Sequence, residues 1–181
     1  MTDSLFVVTG GPGSGKTSLV RALADQGIRH KPEAGRAIIQ DQKAIGGVAL
    51  PWRDRATFAE MMLAWDMRSY REAWEEPGPV IFDRGIPDVI GYLVHCKLPI
   101  PDHVRRAADL CRYNRRVFLA PYWPAIYLQD EERRQLPEEA AATCAAMREV
   151  YQSLGYELVP LPLISLTGRA SFVRARIAEW S

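Results

Sequence analysis

No apolar run in these 181 residues is long enough to cross a bilayer, which takes about 20 residues. The opening Met1-Thr2-Asp3-Ser4 has no basic leader region, and Leu5 to Thr9 reads as a strand, so no signal peptide is expected. Cysteine is scarce: Cys96, Cys111 and Cys144 are far apart, odd in number and without metal spacing. They read as small buried apolar residues in a reducing cytoplasm. His30, His95 and His103 form no ligand pattern either. An excess of one charge is also missing, with 23 Lys and Arg against 22 Asp and Glu. No global field therefore points to nucleic acid or anionic lipid, and any anion site must be local. There is no internal repeat and no low-complexity tract. At 48% hydrophobic and 25% charged, the composition suits a real core, and residues 1–181 are enough for one domain and hardly for two.

The chain alternates strand and helix patterns, as an α/β sheet does. Leu5 to Thr9 is a short apolar run, expected of a strand buried on both faces. Helix is predicted over Thr17 to Gln26, ended by Gly27, then strand over Ile28 to Lys31, closed by Pro32. Helices over Arg36 to Ala44 and Asp54 to Glu75 form an insertion of about residues 34–79, with Phe58, Met61, Met62, Trp65 and Ala73 on one core-facing side. Val80 to Asp83 is the next buried strand. Helices over Asp88 to His95 and Pro101 to Tyr113 lead to a fourth strand, Val117 to Ala120. A helix over Pro137 to Leu154, a strand over Tyr156 to Leu161 and a final helix capped by Ser165 complete the pattern. The sum is five mainly parallel strands covered by helices on both faces.

Chemistry enters at Gly10-Gly11-Pro12-Gly13-Ser14-Gly15-Lys16-Thr17, followed by Ser18. Gly10, Gly15, Lys16 and Thr17 fit G-x-x-x-x-G-K-[ST] in strand–loop–helix context. Glycine permits the tight turn and the close approach of backbone to phosphate. Successive N–H groups form an anion nest, and the following helix points its positive end at the same place. Lys16 is expected on the β- and γ-phosphates of ATP or GTP, and the Thr17 hydroxyl on Mg²⁺. Asp83 ends an apolar strand at the sheet edge where open α/β folds bind ligands, so it is the second expected Mg²⁺ ligand; a turn or cap role is the bland alternative. Arg84 is placed to clamp a substrate or phosphate oxygen, or else to pair with a surface acid.

Together with Pro32-Glu33-Ala34-Gly35-Arg36, Phe82-Asp83-Arg84-Gly85-Ile86-Pro87-Asp88, Phe118-Leu119-Ala120-Pro121 and the charged run Asp130 to Arg134, this loop resembles the AAA-domain, nicotinamide-riboside-kinase-like ATPases over nearly the whole chain. More loosely the chain is similar to nucleoside and nucleoside-monophosphate kinases. The resemblance implies a kinase-like P-loop fold, a three-layer α/β/α sandwich. It also implies Glu33 as the carboxylate that takes the acceptor hydroxyl's proton, and Asp83-Arg84 as the acid–arginine pair after the third strand. Arg133 and Arg134 then fall in a lid of about residues 121–137. Capping of the next helix remains open for Glu33, and a solvated salt-bridged face for Arg133 and Arg134.

Two functions follow. One is a kinase passing the γ-phosphoryl of ATP to a small hydroxyl or phosphate acceptor, with Trp52, Trp65, Tyr70 and Arg53 or Arg55 as candidate walls of the acceptor pocket. The other is a nucleotide-dependent regulatory module without such an acceptor. A Glu33 facing the cleft favours the first, and a Glu33 spent on a helix cap favours the second. No Asn-Lys-x-Asp guanine-reading motif is present, the chain is too short for a hexameric motor, and the lysine-bearing loop is unlike a dinucleotide-binding G-x-G-x-x-G.

Overall fold

The computed structural model describes residues 2–124 and 137–180. A single 3₁₀ turn, Thr2–Ser4, precedes β1, Leu5–Gly10. There follow α1 (Lys16–Ala24), β2 (Arg29–Lys31), α2 (Ala34–Ile45), α3 (Arg55–Trp74) and β3 (Val80–Asp83). The second half runs α4 (Ile86–His95), α5 (Asp102–Leu110), β4 (Arg116–Ala120), α6 (Pro137–Ser153), β5 (Glu157–Pro160) and α7 (Leu166–Trp180). The five strands pair in parallel in the order β2-β3-β1-β4-β5. Because β1 lies at the centre, the loop leaving it opens where the order of strands reverses, the usual ligand crevice of such sheets.

Alternation along β1 divides its side chains between two cores. Phe6 and Val8 pack with Leu19 and Leu23 of α1 and with Val173 and Ile177 of α7. Leu5 and Val7 pack on the opposite face with Phe82, Val89 and Leu93, and with Tyr151 of α6. A third cluster joins Ile38 and Ile39 of α2 to Phe58 of α3. All the predicted strands and helices that lie in the described residues are present, with shifted ends. Ser165 caps α7 as expected, its hydroxyl accepting from the Gly168 N–H at 3.2 Å. The predicted helix over Pro101 to Tyr113 stops at Leu110, because Cys111 leaves the helical region at φ −96°, ψ 77°. That exit lets Tyr113 enter the core and lets the Asn114 N–H reach the Leu5 carbonyl at 2.7 Å, which aligns β4 with β1. Among the cysteines only Cys144 is fully buried, and Cys96 and Cys111 are half-buried. No helix among the described residues is long and apolar enough to cross a membrane.

The last residue of β1 is held under a tight steric constraint by neighbouring backbone. Gly10 has φ +135°, and a methyl group there would run into the carbonyl oxygen of Ala120 on β4. Gly10→Ala should therefore destabilise the fold by about 1–3 kcal/mol, the usual cost of forcing extra volume into a packed interior. A lowered urea midpoint with an unchanged denaturant slope is the expected result, and an unchanged midpoint would mean that β4 yields easily.

Candidate active site

Between β1 and α1 the chain turns through Gly13 (φ +69°) and Gly15 (φ +79°), the latter at the N-terminal cap of α1. That left-handed cap aims the first backbone N–H groups of the helix back over the loop. Lys16 is buried, and its Nζ donates to the Gly11 carbonyl at 2.5 Å and to the Ser14 hydroxyl at 3.2 Å. Ser14 Oγ in turn donates to the same Gly11 carbonyl at 2.8 Å. Pro12 is buried, whereas Ser18 points to solvent. A residue missed at the level of sequence supports the loop from outside: buried Arg169 of α7 donates from Nη1 to the Ser14 carbonyl at 2.9 Å and from Nε to the Pro162 carbonyl at 2.9 Å. Trp123 stacks on its guanidinium at 4.7 Å.

Thr17 lies at the start of α1, and its hydroxyl donates to Asp83 Oδ2 at 2.6 Å. The other oxygen, Asp83 Oδ1, is buried and has no hydrogen-bond partner among the described residues. Burial first, and then the neighbouring Glu33 carboxylate, raise the Asp83 carboxyl above its ordinary value, against the pull of Lys16 and of the Thr17 hydrogen bond. An orphaned, hard, anionic oxygen beside a hydroxyl is a donor set that suits Mg²⁺, which takes one or two protein ligands and completes its shell with phosphates and water. Among the described residues no cluster of three or more His, Cys, Asp or Glu is arranged to hold a metal by itself.

Arg84 follows at once, with φ +76°, a left-handed conformation that costs a non-glycine residue about 1–3 kcal/mol. Three bonds hold it there. Its N–H donates to the Val8 carbonyl at 3.0 Å, its Nε to Glu33 Oε1 at 3.0 Å and its Nη1 to Asp88 Oδ1 at 2.9 Å. Burial alone would lower the guanidinium, but the carboxylates of Glu33, Asp88 and Asp83 outweigh it and leave Arg84 raised. Of the acids it meets, Asp88 is buried and Glu33 is largely covered, so neither is superficial. Asp88, the third residue of α4, also accepts from Thr9 Oγ1 at 2.7 Å, from the Gly85 N–H at 3.0 Å and from Tyr151 Oη at 2.7 Å. Burial and that same acid hold the Tyr151 hydroxyl well above its ordinary range, so it stays a donor. Glu33 occupies the N-cap position of α2, yet its side chain makes no cap hydrogen bond and turns to Arg84 instead.

These groups share one cavity of about 340 Å³. Its lining includes Pro12 of the phosphate loop, Glu33, Arg84 and Asp88, together with Phe58, Met62 and Asp66 of α3. Asp66 was not singled out in the sequence. No hydrogen bond reaches its carboxylate from the described residues, and desolvation first, then Asp88 and Glu33, raise it well above the ordinary carboxylate range. Trp52 and Arg55 stand in the cavity lining, as the sequence suggested. Trp65, Tyr70 and Arg53 do not: Trp65 packs against the α2–α3 cluster, and Arg53 is exposed. Tyr70 is core, with its hydroxyl donating to the Arg112 carbonyl at 2.9 Å, because the turn of α3 that carries it faces Tyr113 rather than the cleft. Arg133 and Arg134, with most of the expected lid, lie outside the described residues.

The family model of the AAA domain matches residues 5–169. No curated protein sequence matches the chain. Solved structures with this fold include deoxyadenosine kinase from M. mycoides with dCMP and dCDP bound, at 11% identity and a TM-score of 0.69, over 97% of this chain and 99% of that one. NadR protein in complex with NR reaches 0.75 at 16% identity, over 98% of this chain but 51% of that one. Thymidylate kinase from Ehrlichia chaffeensis reaches 0.63 at 14% identity, over 97% and 98%. At these identities the likeness is one of fold, and the fold is that of the P-loop kinases.

Asp66 allows a test by stability. A carboxyl raised in the folded state favours folding most below its unfolded value, and that advantage is lost as pH rises through the folded value. Asp66→Asn should thus stabilise the protein at neutral pH, with the gain shrinking to nothing on acidification through the ordinary carboxylate range. Denaturation midpoints of parent and variant between about pH 4 and 8 measure this. A gain independent of pH, or a loss at neutral pH, would contradict the assigned environment.

Proposed function

This chain belongs to the AAA-domain family, and from that premise we propose that it is a Mg²⁺-dependent kinase that transfers the γ-phosphoryl of ATP, or another nucleoside triphosphate, to a small acceptor bearing a hydroxyl group. One observation carries the reading: Pro12 of the phosphate loop lines the same cavity as Glu33 and Arg84. A phosphoryl group on the loop and a hydroxyl in the cavity are then neighbours. The kinases named among the similar folds support the same class of reaction.

In this reading the backbone N–H groups of the loop and Lys16 hold the β- and γ-phosphates. Thr17 and Asp83 hold Mg²⁺, which when bound offsets the negative charge of the phosphates. Glu33 accepts a hydrogen bond from the acceptor hydroxyl and takes its proton as the new O–P bond forms and the bond to the departing diphosphate breaks. Arg84 lies between Glu33 and Asp88, so Glu33 is oriented for that role. The left-handed backbone of Arg84 fits such a role, since strain of this kind persists where surrounding bonds over-determine it. A purely regulatory module has less support, because its case relied on Glu33 as a helix cap, and that bond is not made.

An acceptor screen with Mg²⁺ and ATP, scored as ADP release above the rate without acceptor, tests the class of reaction. With an acceptor in hand, Glu33→Gln should lower kcat by about 10²–10⁴-fold while nucleotide affinity stays near that of the parent. A kcat within a few-fold of the parent removes Glu33 from the mechanism. A protein that binds nucleotide and responds to no acceptor belongs to the regulatory class.

A further inference from the structure

Arg169 of α7 is 2% exposed, yet no carboxylate pairs with it among the described residues. Arg84, by contrast, is shared between Glu33 and Asp88. Arg169 gives its Nη1 and Nε protons to two carbonyls, those of Ser14 and Pro162, both at 2.9 Å. The Trp123 ring covers its guanidinium at 4.7 Å, and Nη2 is buried with no hydrogen-bond partner among the described residues. Burial lowers the guanidinium from its ordinary value, and no neighbouring acid opposes that. A buried charge in this state is costly unless a counter-charge joins it. The bond to Ser14 also sets a direction. The peptides of the described residues are trans, so the Ser14 carbonyl and the Gly15 N–H point opposite ways. With the carbonyl held toward α7, the N–H faces the other side of the loop. Gly13 and Gly15, at φ +69° and +79°, flank this buried serine. Glycine rotates at little cost, so a peptide beside it keeps one orientation only if something outside holds it.

We propose that Arg169 is a positioning residue for the nucleotide phosphates: it holds the Ser14 carbonyl outward, so that the Gly15 N–H is presented to them in advance, and it sets an unpaired positive charge behind them. This rests on the reading of Gly10 to Thr17 as a nucleotide site and adds to that site a residue from the far end of the chain, 155 positions from Ser14. Arg169 touches no substrate and acts through one peptide unit. An N–H already aimed at its ligand needs no reordering on binding, which favours affinity. Without the clamp the peptide is free to turn its carbonyl inward, where the negative end of its dipole opposes the phosphates. The charge acts in the same sense, since phosphates bound on the far side of the loop are the counter-charge that the guanidinium lacks.

Arg169→Lys and Arg169→Gln separate the charge from the clamp. Each keeps a donor and loses the fork that spans the Ser14 and Pro162 carbonyls, and only Arg169→Lys keeps the charge. Binding of a non-hydrolysable ATP analogue with Mg²⁺ is measured by calorimetry on the full chain, well below the melting midpoint of each protein. Arg169→Gln should weaken binding about 100-fold and Arg169→Lys about tenfold. The second readout is the Gly15 amide signal in the NMR spectrum of isotope-labelled protein. It should be single in the parent and move downfield when the analogue binds, and it should be broadened or doubled in both variants without nucleotide. A merely structural arginine would lower the melting midpoint and leave both readouts of the folded protein at parental values. The proposal is overturned if both variants bind within about threefold of the parent. It is overturned equally if Arg169→Gln binds as tightly as Arg169→Lys, or if both show the sharp parental Gly15 signal. Should Arg169→Gln fail to fold, the affinity and the Gly15 signal of Arg169→Lys decide by the same criteria. If the parent does not bind the analogue, or Lys16→Ala binds it as tightly as the parent, the nucleotide site itself is wrong and the proposal falls with it.

Discussion

Asp88 receives hydrogen bonds from four parts of the chain: Thr9 near the end of β1, Arg84 after β3, the Gly85 N–H at the start of α4, and Tyr151 of α6. A buried carboxylate without partners would cost several kcal/mol, so this one is tolerated because its lone pairs are filled. Filling them ties the central strand, the turn after β3 and two helices to a single point. The left-handed conformation of Arg84 depends on that point, and the orientation of Glu33 depends on Arg84. If Asp88 were lost, Arg84 would keep one carboxylate instead of two, and Tyr151 and Thr9 would be left with unpaired buried hydroxyls.

The surrounding acids divide by environment. Asp83 meets Thr17 with one oxygen and leaves the other free and buried, an arrangement suited to a hard cation. Glu33 is paired with a guanidinium, which aims its carboxylate. Asp66 receives no hydrogen bond from the described residues, and it lies on α3 in register with Phe58 and Met62. These carboxylates thus sit in distinct surroundings, and two of them have partners in prospect: a metal for Asp83 and an acceptor hydroxyl for Glu33. Sites that break local rules of patterning in this way are where function is expected to outweigh stability.

The fold and the phosphate loop were legible because their signals are local. Gly10 to Thr17 is contiguous, and Val80 to Asp83 is a short apolar run closed by an acid. Asp88 was legible only as the beginning of a helix, since its partners Thr9 and Tyr151 are 79 and 63 residues away in sequence. Its spacing from Gly85 did carry a hint, because an acid three residues after a cap can reach back to the cap N–H. The choice between cap and cleft for Glu33 turned on Arg84, 51 residues distant. Tyr70 was misread as a pocket wall because an aromatic on a half-buried helix faces core or cleft according to one turn of rotation, and the apolar pattern of α3 does not distinguish them. Asp66 carried a signal that went unused: it falls in register with Phe58 and Met62.

The most direct measurement is a crystal structure with Mg²⁺ and a non-hydrolysable ATP analogue. The account predicts the phosphates along Gly10 to Thr17, the metal in contact with Thr17 and Asp83, and the γ-phosphate opening onto the cavity that holds Glu33 and Asp66. A γ-phosphate walled off from that cavity, or a metal bound away from Asp83, would contradict it.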